Sequence, residues 1–345
     1  MKLGLALQWA NPTVQIPIDL VKRAESLGFD SVWTAEIYGQ DAITPLAWIA
    51  AQTERIRLGT AVIQSAARTP AATALAMSTV DQLAGGGRVI IGIGLSGPQI
   101  VEGWYGMPWG SPNKRLRDYV EIMRKVLKRE GPVTHDGPEI QLPYRGPGSS
   151  GLGKALKSVL HTDPDTPIYI GSGAPANIGL TGELADGWLP MGYNPETKDT
   201  FLPWLEAGLA RGGRTIDDIA IQGGGTVTIT DDVKAALDAQ KPFIGYYVGG
   251  MGARDKNFHK EMMIRRGFPE AAERIQELFL AGHRDEASAA VPDEYVDQGA
   301  LLGPKPRIRE RFREWQDLPG VDGYTLHGAT PEVMEFMAGL AGTRS

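Results

Sequence analysis

The chain has 345 residues, 42% of them hydrophobic and 22% charged, enough for one large α/β barrel or for two smaller domains. Its formal net charge of −6 gives no electrostatic reason to expect nucleic acid or an anionic membrane as a partner, and points instead to a small-molecule ligand. No stretch reaches the uninterrupted apolar length of a membrane helix, and the absence of cysteine excludes disulfides, thiolate metal sites and thiol nucleophiles while agreeing with a reducing, cytoplasmic setting.

The opening MKLGLALQWANP carries one lysine and a short apolar run that Gln8 and Asn11 interrupt before a signal-peptide core could form, so Leu3 to Leu7 read as a first strand. Further runs rich in Val, Ile and Leu follow at 30–36, 57–63, 88–94, 167–171, 186–191, 219–229 and 322–328. Most are apolar on successive positions, as expected of parallel strands covered on both faces. Helical stripes lie between them: Ile16, Leu20, Ala24 and Leu27 form one, and Leu116, Tyr119, Met123 and Val126 another. Thr44-Pro45, Thr69-Pro70, Ser111-Pro112, Asn194-Pro195 and Thr330-Pro331 each set a capping side chain before a proline, a helix-start signal. Eight strand–helix units predict a single (β/α)₈ TIM barrel over 1–345, with insertions at about 132–166, partly hairpin-like, and about 231–316, largely helical.

VIIGIGLSGPQ contains G-x-G-x-x-G at Gly92, Gly94 and Gly97. A dinucleotide fingerprint needs a helix opening within the glycines and an acidic residue about 20 positions on at the end of a second strand. Here the next helix is expected only near Ser111, and 112–130 is an amphipathic helix, so that reading fails. The glycines instead end the fourth barrel strand, where they form either a tight turn or a close approach to a flat or phosphorylated ligand. A second glycine-rich strand end, Gly171, Ser172, Gly173 and Ala174 before Pro175, favours the ligand, because a helix N-terminus offers N–H groups to an anion.

ESLGFDSVWTAE (25–36), RIRLGTAVIQSAARTPAATA (55–74), LAGGGRVIIGIGLSGPQIVEGWYG (83–106) and PIYIGSGAPANIGLTGELADGWLP (167–190) resemble the bacterial luciferase-like superfamily, in particular its actinobacterial branch of oxidoreductases dependent on coenzyme F420, a deazaflavin. The resemblance implies a homodimeric barrel with the ring at the C-terminal mouth and a non-proline cis peptide at Ala61-Val62 behind it. It also puts the ribityl and phosphate end by Gly94, Leu95, Ser96 and Gly97 and by Gly171 to Ala174. The sugar-phosphate dehydrogenases of the superfamily end their second strand with an Asp-His pair, where this sequence has Glu36 and Ile37, and their glutamate after the fourth strand matches Gly97 or its neighbour. Glucose 6-phosphate is therefore not expected as substrate.

A deazaflavin carries the hydride on its own ring, so the protein need supply orientation, electrostatics and at most one proton. Glu36, at a strand end, is a candidate acid or cofactor contact, or is paired with a nearby arginine such as Arg68. Tyr38, Asp41, Gln64 and Ser65 fall on the same two loops and could bind ring polar atoms or substrate, or simply be solvated. Trp9, Trp104, Tyr105 and Tyr193 would make an aromatic wall for substrate, unless each is ordinary packing. His327, ending the last strand, is a possible proton donor or a structural histidine. The five histidines lack helical zinc-site spacing, so no metal is expected. The competing reading is an FMN-dependent monooxygenase fed by a separate flavin reductase.

Overall fold

The computed structural model describes residues 1–7 and 12–343. The chain begins β1 (Lys2–Ala6), α1 (Ile18–Ser26), β2 (Ser31–Thr34), α2 (Ile43–Ala50), β3 (Arg57–Thr60), β4 (Ile63–Gln64), α3 (Pro70–Leu83) and β5 (Val89–Gly94). It continues with α4 (Pro98–Val101), α5 (Pro112–Lys128), β6 (His135–Asp136), β7 (Gln141–Leu142), β8 (Ile168–Ser172), α6 (Pro175–Leu184), β9 (Gly187–Pro190) and α7 (Lys198–Arg211). The remainder is β10 (Ala220–Ile229), α8 (Val233–Gly250), α9 (Phe258–Arg265), α10 (Pro269–Leu280), α11 (Arg284–Ala289), α12 (Asp293–Gln298), β11 (Ala300–Gly303), α13 (Lys305–Gln316), β12 (Val321–His327) and α14 (Pro331–Ala341).

Eight parallel strands close on themselves in the order β1, β2, β3, β5, β8, β9, β10, β12 and back to β1, and each of the eight apolar runs supplies one of them. This is a (β/α)₈ TIM barrel. Helices α1, α2, α3, α5, α6, α7, α13 and α14 follow the eight strands in turn, and their apolar stripes pack on the outside of the barrel, as Leu116, Tyr119, Met123 and Val126 of α5 do. Inside, Trp33, Ile90 and Tyr169 stack as a separate cluster. A Cβ at Gly4 or Gly59 would stand 2.7 or 2.4 Å from the Trp33 ring, so glycine on the neighbouring strands makes room for this indole.

Two capping threonines behave as expected: Thr69 and Thr330 accept the N–H of Ala72 and Val333. Ser111 stands at the start of α5 without a side-chain cap bond. The other two starts move because another polar side chain reaches the backbone first. Asp41 Oδ1 takes the N–H groups of Ile43 and Thr44, both at 2.8 Å, so α2 begins before Thr44. Asn194 Oδ1 instead accepts from Glu196 and Thr197 in a turn, and α7 starts at Lys198.

The 132–166 stretch contains the antiparallel pair β6–β7. It is anchored by buried Asp118, whose Oδ2 accepts from Glu139 N and Ile140 N and whose Oδ1 lies 3.2 Å from His135 Nε2. The 231–316 stretch holds α8 to α12 with a core of their own, then β11, which no apolar run announced, then the barrel helix α13. β11 pairs with the far end of β10, Thr226 to Ile229, outside the closed ring. No described helix is long and apolar enough to cross a membrane.

Candidate active site

The C-terminal ends of the strands open into a cavity of about 680 Å³, roofed by the C-terminal part of α8 and by α9. Three strand tips separated in sequence meet there: Ala61, Val62 and Gln64 after β3, Gly94 to Gly97 after β5, and Gly171 to Ala174 after β8. The Ala61–Val62 peptide bond is cis. Val62 is the centre of this meeting. A Cβ at Gly94 would lie 2.6 Å from one Val62 methyl, and a Cβ at Gly171 would lie 2.9 Å from the other. A Cβ at Gly92 would fall 1.8 Å from the carbonyl oxygen of Thr60. The glycine pattern of the fourth strand is thus first a packing requirement of the neighbouring chain. Gly97 does open a helix, the single turn α4, earlier than the expected start near Ser111; Ser96 before it adopts left-handed backbone at φ 60°.

The α6 side is built differently. Ala174 precedes the helix, its N–H is held by Asn177 Oδ1 at 2.9 Å, and Pro175 has no N–H, which leaves Ala176 and Asn177 as first-turn donors without intrahelical acceptors. Met262 of α9 packs here, its methyl 2.4 Å from where a Gly173 Cβ would be.

Glu36 is spent before it can reach the cavity. Its buried carboxylate receives Arg68 Nη1 at 2.6 and 2.8 Å, Ala42 N at 3.0 Å and Gln64 N at 3.1 Å, and it does not line the cavity. Its work is to fix the loop after β2 against β4: the Gln64 amide donates back to the Glu36 carbonyl, which leaves Gln64 Oε1 buried at the cavity wall with no partner. Ser65 Oγ beside it is also buried and unpartnered. Asp41 caps α2 and is 3.6 Å from Arg68.

The remaining expected site residues divide. His327 lines the cavity and is itself exposed, although the protein packed around it lowers its imidazole below the ordinary value. Tyr38 lies outside the lining, its hydroxyl 3.3 Å from that of Tyr246 and 3.6 Å from Met251 Sδ; the hydrogen bond to Tyr246, with burial, raises it to about 12. Of the residues named for an aromatic wall, the three that are described do not line the cavity. Tyr193 is in the core against Trp188, its hydroxyl on the Pro319 carbonyl, because it lies past the strand tip on the helix side. Trp104 is 62% exposed beyond α4, and Tyr105 turns away to donate to the Ile37 carbonyl at 2.8 Å. Trp9 falls outside the described residues.

The wall comes instead from residues without a motif: Trp109, Tyr247, Phe258, His259 and Met251. Burial pushes His259, edge-on to Tyr247, down to about 4. The sequence marked 231–316 only as a largely helical insertion, without saying that it covers the strand ends. The charges are informative: Lys256 and Arg265 line the cavity and no Asp or Glu does, in a chain whose net charge is −6. Among the described residues no group of three His, Asp or Glu side chains is placed to hold a metal ion.

Residues 1–322 match the family described as luciferase-like monooxygenase. The chain belongs to this family. It is 44% identical over 344 residues to "Putative coenzyme F420-dependent oxidoreductase Rv3520c" of Mycobacterium tuberculosis, covering 99% of each chain. It is 28% identical over 300 residues to 5,10-methylenetetrahydromethanopterin reductase of Archaeoglobus fulgidus, covering 85% of this chain and 84% of the relative. Among solved structures, the coenzyme F420-dependent tetrahydromethanopterin reductase of Methanopyrus kandleri superposes with a TM-score of 0.76 at 24% identity, covering 98% of this luciferase-like chain and 97% of the other. An F420-dependent secondary alcohol dehydrogenase, solved with an F420-acetone adduct, superposes at 0.75 and 17% identity, covering 100% and 99%. Both structural likenesses are likenesses of fold.

Proposed function

We infer that the chain is an oxidoreductase that moves hydride between the deazaflavin coenzyme F420 and a small organic substrate: a carbonyl, an alcohol or an activated alkene. The observation that carries this reading is the cavity at the strand ends, where three glycine-bearing or bulged tips converge and every charged lining residue is basic. The full-length similarity to the Mycobacterium tuberculosis protein favours the deazaflavin over FMN.

The residues fit such a group. Val62 offers an apolar surface behind a planar ring, and Gln64 Oε1 is a buried acceptor awaiting an N–H such as a ring imide supplies. The first turn of α6, with Gly173 and Ala174, presents backbone donors suited to a phosphate. Arg265 follows Met262 by three residues on α9 and so extends the same side. Bound coenzyme F420 supplies the hydride chemistry itself. The chain orients the ring, covers it with α8 and α9, and sets His327 on the cavity wall at the end of β12, where its imidazole can take a proton when neutral and give one when protonated. Tyr38 keeps its proton and ties the loop after β2 to α8. The same reading takes a homodimer in a reducing cytoplasm.

Titration of the purified chain with coenzyme F420 and with FMN, followed by fluorescence, tests this. The expected result is saturable binding of the deazaflavin that weakens in Gln64→Leu. Binding of FMN and none of coenzyme F420 would overturn it in favour of a monooxygenase served by a separate flavin reductase.

A further inference from the structure

Two cationic side chains enter the cavity from opposite ends of α9, an eight-residue helix and so about 12 Å long at 1.5 Å per residue. Their surroundings differ. Arg265 stands one turn beyond Met262, which packs on Gly173, and it is already partnered by Glu261 Oε2 at 2.7 Å. It belongs with the α6 end.

Lys256 is in a different situation. It precedes the helix, its ammonium lies 5.3 Å from the centre of the Trp109 ring and 6.0 Å from that of Phe258, and no carboxylate of the described residues lies within ion-pair distance. The two rings are 6.4 Å apart and tilted by 31°, and both line the cavity. Aromatic faces hold an ammonium in place without neutralising it, so the positive charge remains available to a ligand. The loop that carries it is fastened across the mouth, where the Gln99 amide donates to the Met251 carbonyl at 2.5 Å. Met251, Tyr247 and Ile100 line the same cavity, together with the uncharged polar side chains of Gln99 and Asn113.

We propose that Lys256, Trp109 and Phe258 form a subsite for the carboxylate end of an otherwise apolar, planar substrate, whose reacting carbon lies inward toward His327. The subsite rests on the reading of the inner cavity as the deazaflavin site, since that is what leaves the outer part for substrate. Trp109 and Phe258 give the flat body two faces to lie against, and Lys256 fixes which end points outward. A neutral substrate of the same shape gains the first contact and lacks the second.

The test uses trans-cinnamate and its methyl ester, a matched planar pair differing in one charge, in calorimetric titrations of the chain saturated with coenzyme F420. The acid is expected to bind about tenfold more tightly than the ester, a preference that shrinks as salt screens it. Lys256→Met abolishes the preference and leaves ester affinity unchanged, whereas Lys256→Arg retains it. Equal binding of acid and ester by the unaltered chain, or a preference that survives in Lys256→Met, overturns the subsite. Coenzyme F420 binding is measured in the same samples. If it fails while the acid preference still depends on Lys256, the cofactor reading falls and the anion subsite stands.

Discussion

Removing Arg68 strands a buried charge, and the cost follows from its neighbours. The Glu36 side chain is 4% exposed and accepts four hydrogen bonds, of which Arg68→Met deletes the two from Nη1 of the guanidinium. Breaking one side of a buried pair costs about 3–5 kcal/mol, and the two remaining backbone N–H groups put this case near the lower end, about 3 kcal/mol. The double variant Glu36→Gln/Arg68→Met removes both charges at nearly constant volume, so it should be more stable than Arg68→Met alone by at least ~1 kcal/mol. Equilibrium unfolding in urea, with midpoints compared at constant slope, measures both differences. A cost below ~1 kcal/mol for Arg68→Met, or a double variant no better than the single one, would refute the assignment of Glu36 as a positioning residue tied up by this pair.

The Val62 contact predicts that Gly94→Ala, which sets a methyl 2.6 Å from Val62 Cγ2, weakens coenzyme F420 binding about tenfold or more while the fold persists, and that adding Val62→Ala restores part of it; fluorescence titration reads both. His259 carries a folded-state value lowered to about 4 against 6.5 for the free side chain, so the unfolded chain binds more protons between these values. Stability is therefore expected to fall as pH drops from about 6.5 toward 4, and His259→Phe to flatten that part of a urea-midpoint profile. On the outer layer, a Cβ at Gly208 would meet the Gly179 carbonyl oxygen at 2.0 Å where α6 crosses α7. Gly208→Ala should cost about 2 kcal/mol or more in the same unfolding assay, with cofactor affinity unchanged.

The barrel was legible because parallel strands covered on both faces need unbroken apolar runs, and the eight runs are long enough to stand out. β11 escaped since its four residues, Ala300 to Gly303, sit among helices and pair only with an extension of β10. The strand-tip residues were legible through glycine, although Gly94 and Gly171 turn out to accommodate Val62 as much as any ligand. Aromatic residues named by proximity to a strand end fared worse, because a displacement of two residues decides between cavity and core: Met191 lines the cavity and Tyr193 does not. Lys256, Phe258 and His259 had no signature at all: their place follows from how α8 and α9 fold back over the mouth, a tertiary event that local pattern does not encode.

The excursion that roofs the cavity leaves the barrel at Ile229 and returns as β11 alongside the last four residues of the very strand it left. Both of its ends are bolted to β10, whose inner residues Gln222 to Gly224 form part of the cavity floor. A cover fixed at both ends cannot swing like a door on one hinge. Any give in this cover has to come from within its span, where Gln99 holds the short connection between Met251 and Asn257.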